Sequence, residues 1–281
     1  MKVLITGAAG LLGHGLVKVF QRKHEVITVT HPEMDVTDAA AVRAKLRVVQ
    51  PDVVIHSAAM PDVDVCELEP EKARRVNIAG TRNVTVSAGE LCATVAFISS
   101  DAVFDGKKQT PYVESDATNP ISVYGRTKEF GEKIVEAAPK HWIFRIPVLF
   151  GPRKINFVEK VLLKIAKGEE YEVAADQIGG AAYTLDIAEK MMEVMTSGNF
   201  GIFHLANSGV CSRLDLAQRA AKLAGLDASK VIGKPMAEMR RPGPRLGYSV
   251  MAMNGLTKCG IAPPRPWDAA LDEYMRSRNV A

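Results

Sequence analysis

Short apolar runs rich in β-branched residues recur along the first 150 residues, separated by stretches whose apolar positions repeat every three or four. The runs read as strands and the stretches as amphipathic helices, so their alternation predicts a parallel sheet covered by helices. Val3-Leu4-Ile5 opens the series as a strand. A helix is expected over 11–23, a second strand over 26–30 and a helix over 38–50, capped by Asp38. Pro51-Asp52 leads into a strand over 53–56, a long helix spans about 70–90, and the fourth strand covers 95–99. Right-handed crossovers set these four strands side by side.

The stretch 101–121 contains Asp105-Gly106, Pro111 and Asn119-Pro120, so it reads as a loop at the carboxyl end of a strand, where α/β enzymes place their chemistry. A helix over about 123–137 and a strand over 142–146 follow, and Gly151-Pro152 ends the pattern. Beyond it the spacing predicts helices near 157–167, 184–196 and 214–224 and a strand at 202–205, before a final 50 residues rich in proline, arginine and methionine.

The 281 residues suffice for one large α/β domain with a smaller annex, and a 47% hydrophobic content is that of an ordinary globular chain. The net charge of +4 is spread out; pairs such as Arg74-Arg75 and Arg240-Arg241 are too short for a nucleic-acid-binding stripe. The apolar start breaks at Thr6-Gly7, too early for a signal core or a membrane span, so a cytoplasmic protein is expected. Four cysteines without a CxxC pair predict reduced, mostly buried thiols, and six histidines without metal-binding spacing predict no metal.

Chemistry enters with the segment Gly7-Ala8-Ala9-Gly10-Leu11-Leu12-Gly13, directly between the first strand and its helix. Gly7 permits a tight turn, Gly10 a close backbone approach to a pyrophosphate, and Gly13 close packing of helix on sheet; the helix start, at Leu11 and Leu12, then meets the anion with free N–H groups. The fold class expected is therefore α/β, a Rossmann-type doubly wound parallel sheet. Residues 1–150 form the dinucleotide-binding domain, 184–206 return to it, and 151–281 form a smaller, mixed substrate-binding part. At the end of the second strand, Thr30-His31-Pro32 offers neither an acid for a ribose hydroxyl nor an arginine for a 2′-phosphate. Lacking the acid, and with His31 able to meet a phosphate, the site leans to NADPH, with NADH as the alternative.

A Tyr-x-x-x-Lys match means little alone in a chain with six tyrosines. Tyr124 and Lys128, however, fall on one face of the helix that follows the long loop, one crossover after Ser99-Ser100. An ammonium beside the phenol is expected to lower the tyrosine pKa and prepare it for proton transfer, with a serine hydroxyl to hold a carbonyl oxygen.

The glycine turn, Asn77-Ile-Ala-Gly80-Thr-x-Asn83, Ser99-Ser-Asp-Ala-Val-Phe-Asp-Gly106 and Tyr124-x-x-x-Lys128 together resemble the extended short-chain dehydrogenase/reductases. More narrowly, and over nearly the whole length, the chain resembles their dTDP-4-dehydrorhamnose reductase (RmlD-like) branch. Asp35-Val36-Thr37-Asp38, Asp176-Gln177-Ile178-Gly179 and His204-Leu205-Ala206-Asn207-Ser208-Gly209 are among the matching stretches. The resemblance implies hydride transfer to a keto group of a nucleotide-linked deoxy sugar. Tyr124 would be the proton donor, Lys128 would hold the nicotinamide ribose and Ser100 would align the carbonyl. It places Asp35 and Val36 at the adenine, Ala58 and Ala59 along the cofactor, and Asn77 and Ser99 on the cofactor side. Val63, Ser100, Asp101, Ala102, Val148 and Arg241 fall on the substrate side.

Departures from the branch gather there: Ala102 stands for a tyrosine, Val148 for a tryptophan, and Met60-Pro61 for a Tyr-Thr pair. They argue for a sugar-like substrate other than the usual rhamnose precursor. Two other readings stay open. One is an epimerase or dehydratase, for which Asp101 could be the extra acid or base. The other is an NADP-binding regulatory module, because the chain also resembles the regulatory subunit of methionine adenosyltransferase. The branch allows a homodimer, and contact of Arg240, Arg241 and Arg245 with a diphosphate is open as well.

Overall fold

The structure, a computed structural model, describes residues 1–278. The first half runs β1 (Lys2–Thr6), α1 (Leu11–Phe20), β2 (Glu25–Val29), α2 (Ala39–Val49), β3 (Val53–His56), α3 (Val63–Leu68), α4 (Pro70–Arg74), α5 (Gly80–Gly89), β4 (Thr94–Ser100), α6 (Val123–Glu136) and β5 (His141–Ile146). Asp38 caps α2 by accepting from the amides of Ala40 and Ala41 at 2.9 and 3.0 Å, which is why that helix starts where it does. The strand order β2-β1-β3-β4-β5-β10, with β10 at Gly201–His204, is parallel throughout. This is a Rossmann-type α/β sheet.

Valine and isoleucine from alternate positions of the buried strands feed two cores. On one face Val3, Ile5 and Phe144 pack with Leu16 and Phe20 of α1 and with Ile187 and Met191 of a later helix; on the other, Leu4, Val54 and Phe97 pack with Val42, Leu46, Val84 and Val135 of α2, α5 and α6. The chain leaves β1 outward to β2 and then returns past β1 to β3. A crevice therefore opens at the carboxyl ends of β1 and β3, the reversal point where such sheets bind ligands.

One long helix over 70–90 is not what forms. The segment is α4, a widened turn over Arg75–Ala79 with one extra residue per turn, and α5, preceded by the separate short helix α3. The side chain of Asn77 leaves this widened turn toward the sheet and is buried.

After β5 come β6 (Val148–Phe150), α7 (Phe157–Ile165), β7 (Tyr171–Ala174), β8 (Ile178–Gly179), β9 (Ala181–Tyr183), α8 (Thr184–Thr196), then β10, β11 (Cys211–Ser212), α9 (Arg213–Leu223), β12 (Val231–Lys234), α10 (Asn254–Lys258) and α11 (Trp267–Arg278). Of three two-stranded pieces, β6-β9 and β8-β11 border a third core of Phe150, Leu162, Tyr183, Leu216, Leu271 and Tyr274, and β7-β12 packs Val173 and Val231 on a fourth with Val161 and Ala217. Of the four cysteines, all free thiols, Cys66 and Cys211 are buried, whereas Cys92 is exposed. Among the described residues no His/Cys/Asp/Glu cluster could hold a metal, and no helix is long and apolar enough to cross a membrane.

Candidate active site

Backbone geometry at the end of β1 builds the first half of the site. Gly7 adopts φ +67°, and a Cβ there would lie 2.7 Å from the amide nitrogen of Ala58; one at Gly13 would lie 2.2 Å from the carbonyl oxygen of Gly7. Only glycine lets strand, turn and helix close this tightly. The Gly10 amide donates to the Gly7 carbonyl at 2.8 Å, and Gly10 caps α1 without a side chain. The first-turn amides at Leu11 and Leu12 are thus left to a ligand, a cradle that suits a pyrophosphate and that any Cβ at Gly7 or Gly13 would spoil.

From this turn a cleft of about 910 Å³ runs across the carboxyl ends of β1, β3 and β4. Gly7, Gly10, Leu11, Leu12, His31, Asp35, Val36, Ala58, Ala59 and Ser99 line it, as do Val63, Ser100, Asp101, Ala102, Tyr124, Lys128, Val148 and Arg241. Two sequence candidates lie behind the wall. Gly13 supports the turn from within α1. Asn77 accepts from the Met60 amide at 2.8 Å and donates to the Met60 carbonyl at 3.1 Å and to Thr127 at 3.0 Å. Its amide therefore pins the segment after β3 to α6. His31 is exposed, its Nε2 3.9 Å from Asp35 Oδ2, and the amide of Thr37 holds the Asp35 carboxyl below its ordinary range.

At the far end, β4 delivers Ser99 and Ser100, and the Ser100 hydroxyl accepts from the Ala102 amide at 3.2 Å. Ser122 caps α6 through the Gly125 amide at 3.0 Å, and the helix then presents Tyr124, Lys128 and Glu132 at successive four-residue steps on one face. The phenol of Tyr124 is pushed above its ordinary pKa, mainly by burial and further by the Asp101 and Cys66 charges, while the Ser100 hydroxyl pulls the other way. This reverses the expected lowering. It is the lysine that moves down: burial takes Lys128 to about 7 against the opposing pull of Glu132, and its Nζ sits 4.1 Å above the Phe97 ring centre.

Glu132 anchors a buried polar layer beneath the cleft. It accepts from Arg145 Nε and Nη2 at 2.9 and 2.8 Å and from the Ser99 hydroxyl, and both members of the ion pair are 3% exposed. Beside it, His56 bridges Thr6 and Thr81 at 2.9 and 3.2 Å, and burial lowers its pKa to about 3, which makes it a neutral structural link between β3 and α5.

Asp101 is buried, accepts from Ser100 at 2.9 Å and from Ser249 at 2.8 Å, and is raised above the ordinary carboxylate range by burial. The C-terminal segment supplies the cations of the cleft. Arg213 at the start of α9, Arg241 and Arg245 line it, Arg245 pairing with Asp64 at 2.9 Å; Arg240 points outside and is exposed.

Residues 1–279 match the family described as RmlD substrate binding domain. The chain belongs to this family. Among its relatives, the spore coat polysaccharide biosynthesis protein SpsK of Bacillus subtilis is 36% identical over 100% of this chain and 99% of its own. A dTDP-4-dehydrorhamnose reductase of Clostridium acetobutylicum superposes with a TM-score of 0.95 at 36% identity, covering 99% of this chain and all of that one. The Bacillus anthracis dTDP-4-dehydrorhamnose reductase, solved in complex with NADP, gives 0.95 at 29% identity, over 98% and 99% of the two chains.

Sequence reading missed Glu132, Arg145, Arg213 and Ser249. Only Glu132 left a signal, as the next four-residue step after Tyr124 and Lys128; the others are brought in by β5, the start of α9 and the loop before α10.

Proposed function

We propose that this RmlD-family protein is an NADPH-dependent reductase of a keto group on a nucleotide-linked deoxy sugar. The observation that carries the reading is that Ser100, Tyr124 and Lys128 face the same cleft as the glycine turn. Bound there, the nicotinamide supplies the hydride. Leu11 and Leu12 would bind the pyrophosphate through their backbone amides, with Gly7 and Gly10 letting the backbone come close to it. Asp35 and Val36 would flank the adenine, His31 would meet a 2′-phosphate, and Ala58, Ala59 and Ser99 would line the path to the nicotinamide ribose, which Lys128 would hold. Ser100 orients the carbonyl oxygen. A phenol raised above its ordinary pKa stays protonated at neutral pH, so Tyr124 is an acid in waiting and gives its proton to the oxygen as charge builds there.

Val63, Ala102 and Val148 form the wall beside the sugar, and Arg213, Arg241 and Arg245 meet the diphosphate, to which planar guanidinium groups are matched. Asp101 does not stand free as an epimerase acid would, because both its oxygens are bonded to serines. The same reading places the enzyme in the cytoplasm with its reduced cofactor. A homodimer fits it too, through the groove between α5 and α6 lined by Ile78, Val86 and Ile134, with Val86 48% exposed and Phe130, one turn before Ile134 on α6, 50% exposed; Phe130→Glu should then yield monomers on gel filtration.

The test is to follow NADPH oxidation with a panel of nucleotide-linked 4-keto sugars, with Tyr124→Phe alongside. Turnover by the natural chain, reduced by about 10²–10⁴-fold in the variant at unchanged NADPH affinity, is expected. Tight NADPH binding without turnover of any keto sugar overturns the proposal in favour of a binding module.

A further inference from the structure

The segment 241–251 crosses the cleft as a strap. At one end Asp64 Oδ1 accepts from the Gly243 amide at 2.9 Å and from Arg245 at 3.0 Å; at the other, Ile178 exchanges backbone bonds of 2.8 Å with Gly247 and Ser249. At this second end, the buried carboxylate of Asp101 joins two hydroxyls from distant parts of the chain. Its Oδ1 takes the proton of Ser100, its own neighbour at the end of β4, and its Oδ2 takes that of Ser249 on the strap. One short side chain thus couples the element that carries Arg241 and Arg245 to the hydroxyl beside Tyr124. Arg213 lends its charge to the same carboxylate from the start of α9.

We propose that Asp101 is a positioning residue: it holds the Ser100 proton until the substrate's carbonyl oxygen takes it and fastens the strap beside that serine through Ser249, so that seating of the substrate's diphosphate on the strap is transmitted to the carbonyl-orienting hydroxyl. This rests on the reductase reading for the identity of the substrate, but the latch itself is geometric. A carboxylate accepts two hydroxyl protons without a donor of its own to satisfy, which an asparagine cannot do. Losing the latch frees the Ser100 rotor and loosens the strap together.

Charge and geometry make opposite predictions for binding. Removing a negative charge that faces Arg213 strengthens the hold on an anion if electrostatics alone decides, whereas loosening the strap weakens it. The experiment measures dTDP affinity by calorimetry, NADPH affinity by fluorescence, and kcat and KM for the keto sugar, in Asp101→Asn, Ser249→Ala and the double variant. We expect NADPH affinity within twofold of the natural chain throughout. We expect dTDP binding weakened about fivefold or more in each single variant, and kcat lowered about tenfold in Asp101→Asn. The double variant should be little worse than Asp101→Asn, because both changes cut the same link. Tighter or unchanged dTDP binding in Asp101→Asn, or losses that multiply in the double variant, would overturn the latch. If the natural chain turns over no keto sugar, the reductase reading falls and the dTDP affinities still decide the latch.

Discussion

Glu132→Ala is the change whose cost the structure fixes most directly. The carboxylate holds Arg145 by two bonds of 2.9 and 2.8 Å with both residues 3% exposed. Once it is gone, the guanidinium keeps only the Glu114 carbonyl at 3.3 Å and a contact of 3.5 Å with His204, which burial lowers to about 4 and therefore leaves neutral. A buried charge stripped of its partner costs about 3–5 kcal/mol. Taking an unfolding entropy of about 2.1 cal/mol/K per residue over 281 residues, about 0.6 kcal/mol/K in all, the melting temperature should fall by about 5–8 °C. Thermal unfolding followed by circular dichroism measures this, with Glu132→Leu/Arg145→Leu as the companion, which should recover most of the loss because neither charge is then buried alone. A drop of less than about 1 °C in the single variant, or a double variant less stable than the single, would refute the argument.

Other consequences are equally direct. Gly13→Val drives a side chain into the Gly7 carbonyl, 2.2 Å from where its Cβ would sit, so NADPH affinity should fall more than tenfold in a fluorescence titration. Lys128 is held near pH 7 in the fold and titrates near 10.5 when unfolded, so between these values the unfolded chain binds the extra proton and stability rises with pH. Lys128→Met removes that dependence: its stability relative to the natural chain should be greatest at pH 6 and shrink by pH 9.5, as read from urea midpoints at the two pH values.

The main sheet was legible because its central strands are buried on both faces and its helices on one, so burial writes itself into spacing; α8, expected over 184–196, has those bounds. Pieces such as β8 and β11, two residues each and paired across some thirty residues, have no period to show. Helix α3 was missed although Asp62 caps it, since six residues give too little repetition. In the site, the glycine turn and the Tyr124–Lys128 face could be read because their chemistry is local. Arg145 and Glu132 look like surface charges in the sequence, and only the packing of α6 on β4 and β5 takes them out of water. The reversed shift of Tyr124 has the same origin: four-residue spacing puts an ammonium near the phenol, but desolvation of the pair outweighs their mutual effect.

The strap has a consequence for how the molecule comes into being. A chain leaves the ribosome from its N-terminus, and domains fold as units in that order. The glycine turn, β1 to β5 and the Tyr124–Lys128 face are all present once residue 146 is free, whereas Arg241, Arg245 and Ser249 follow about a hundred residues later. The pyrophosphate cradle can thus form on the nascent chain well before the other half of the cleft exists. Ser249 reaching Asp101 is among the last steps of assembly, so chains cut short before it keep the cradle and lose the latch.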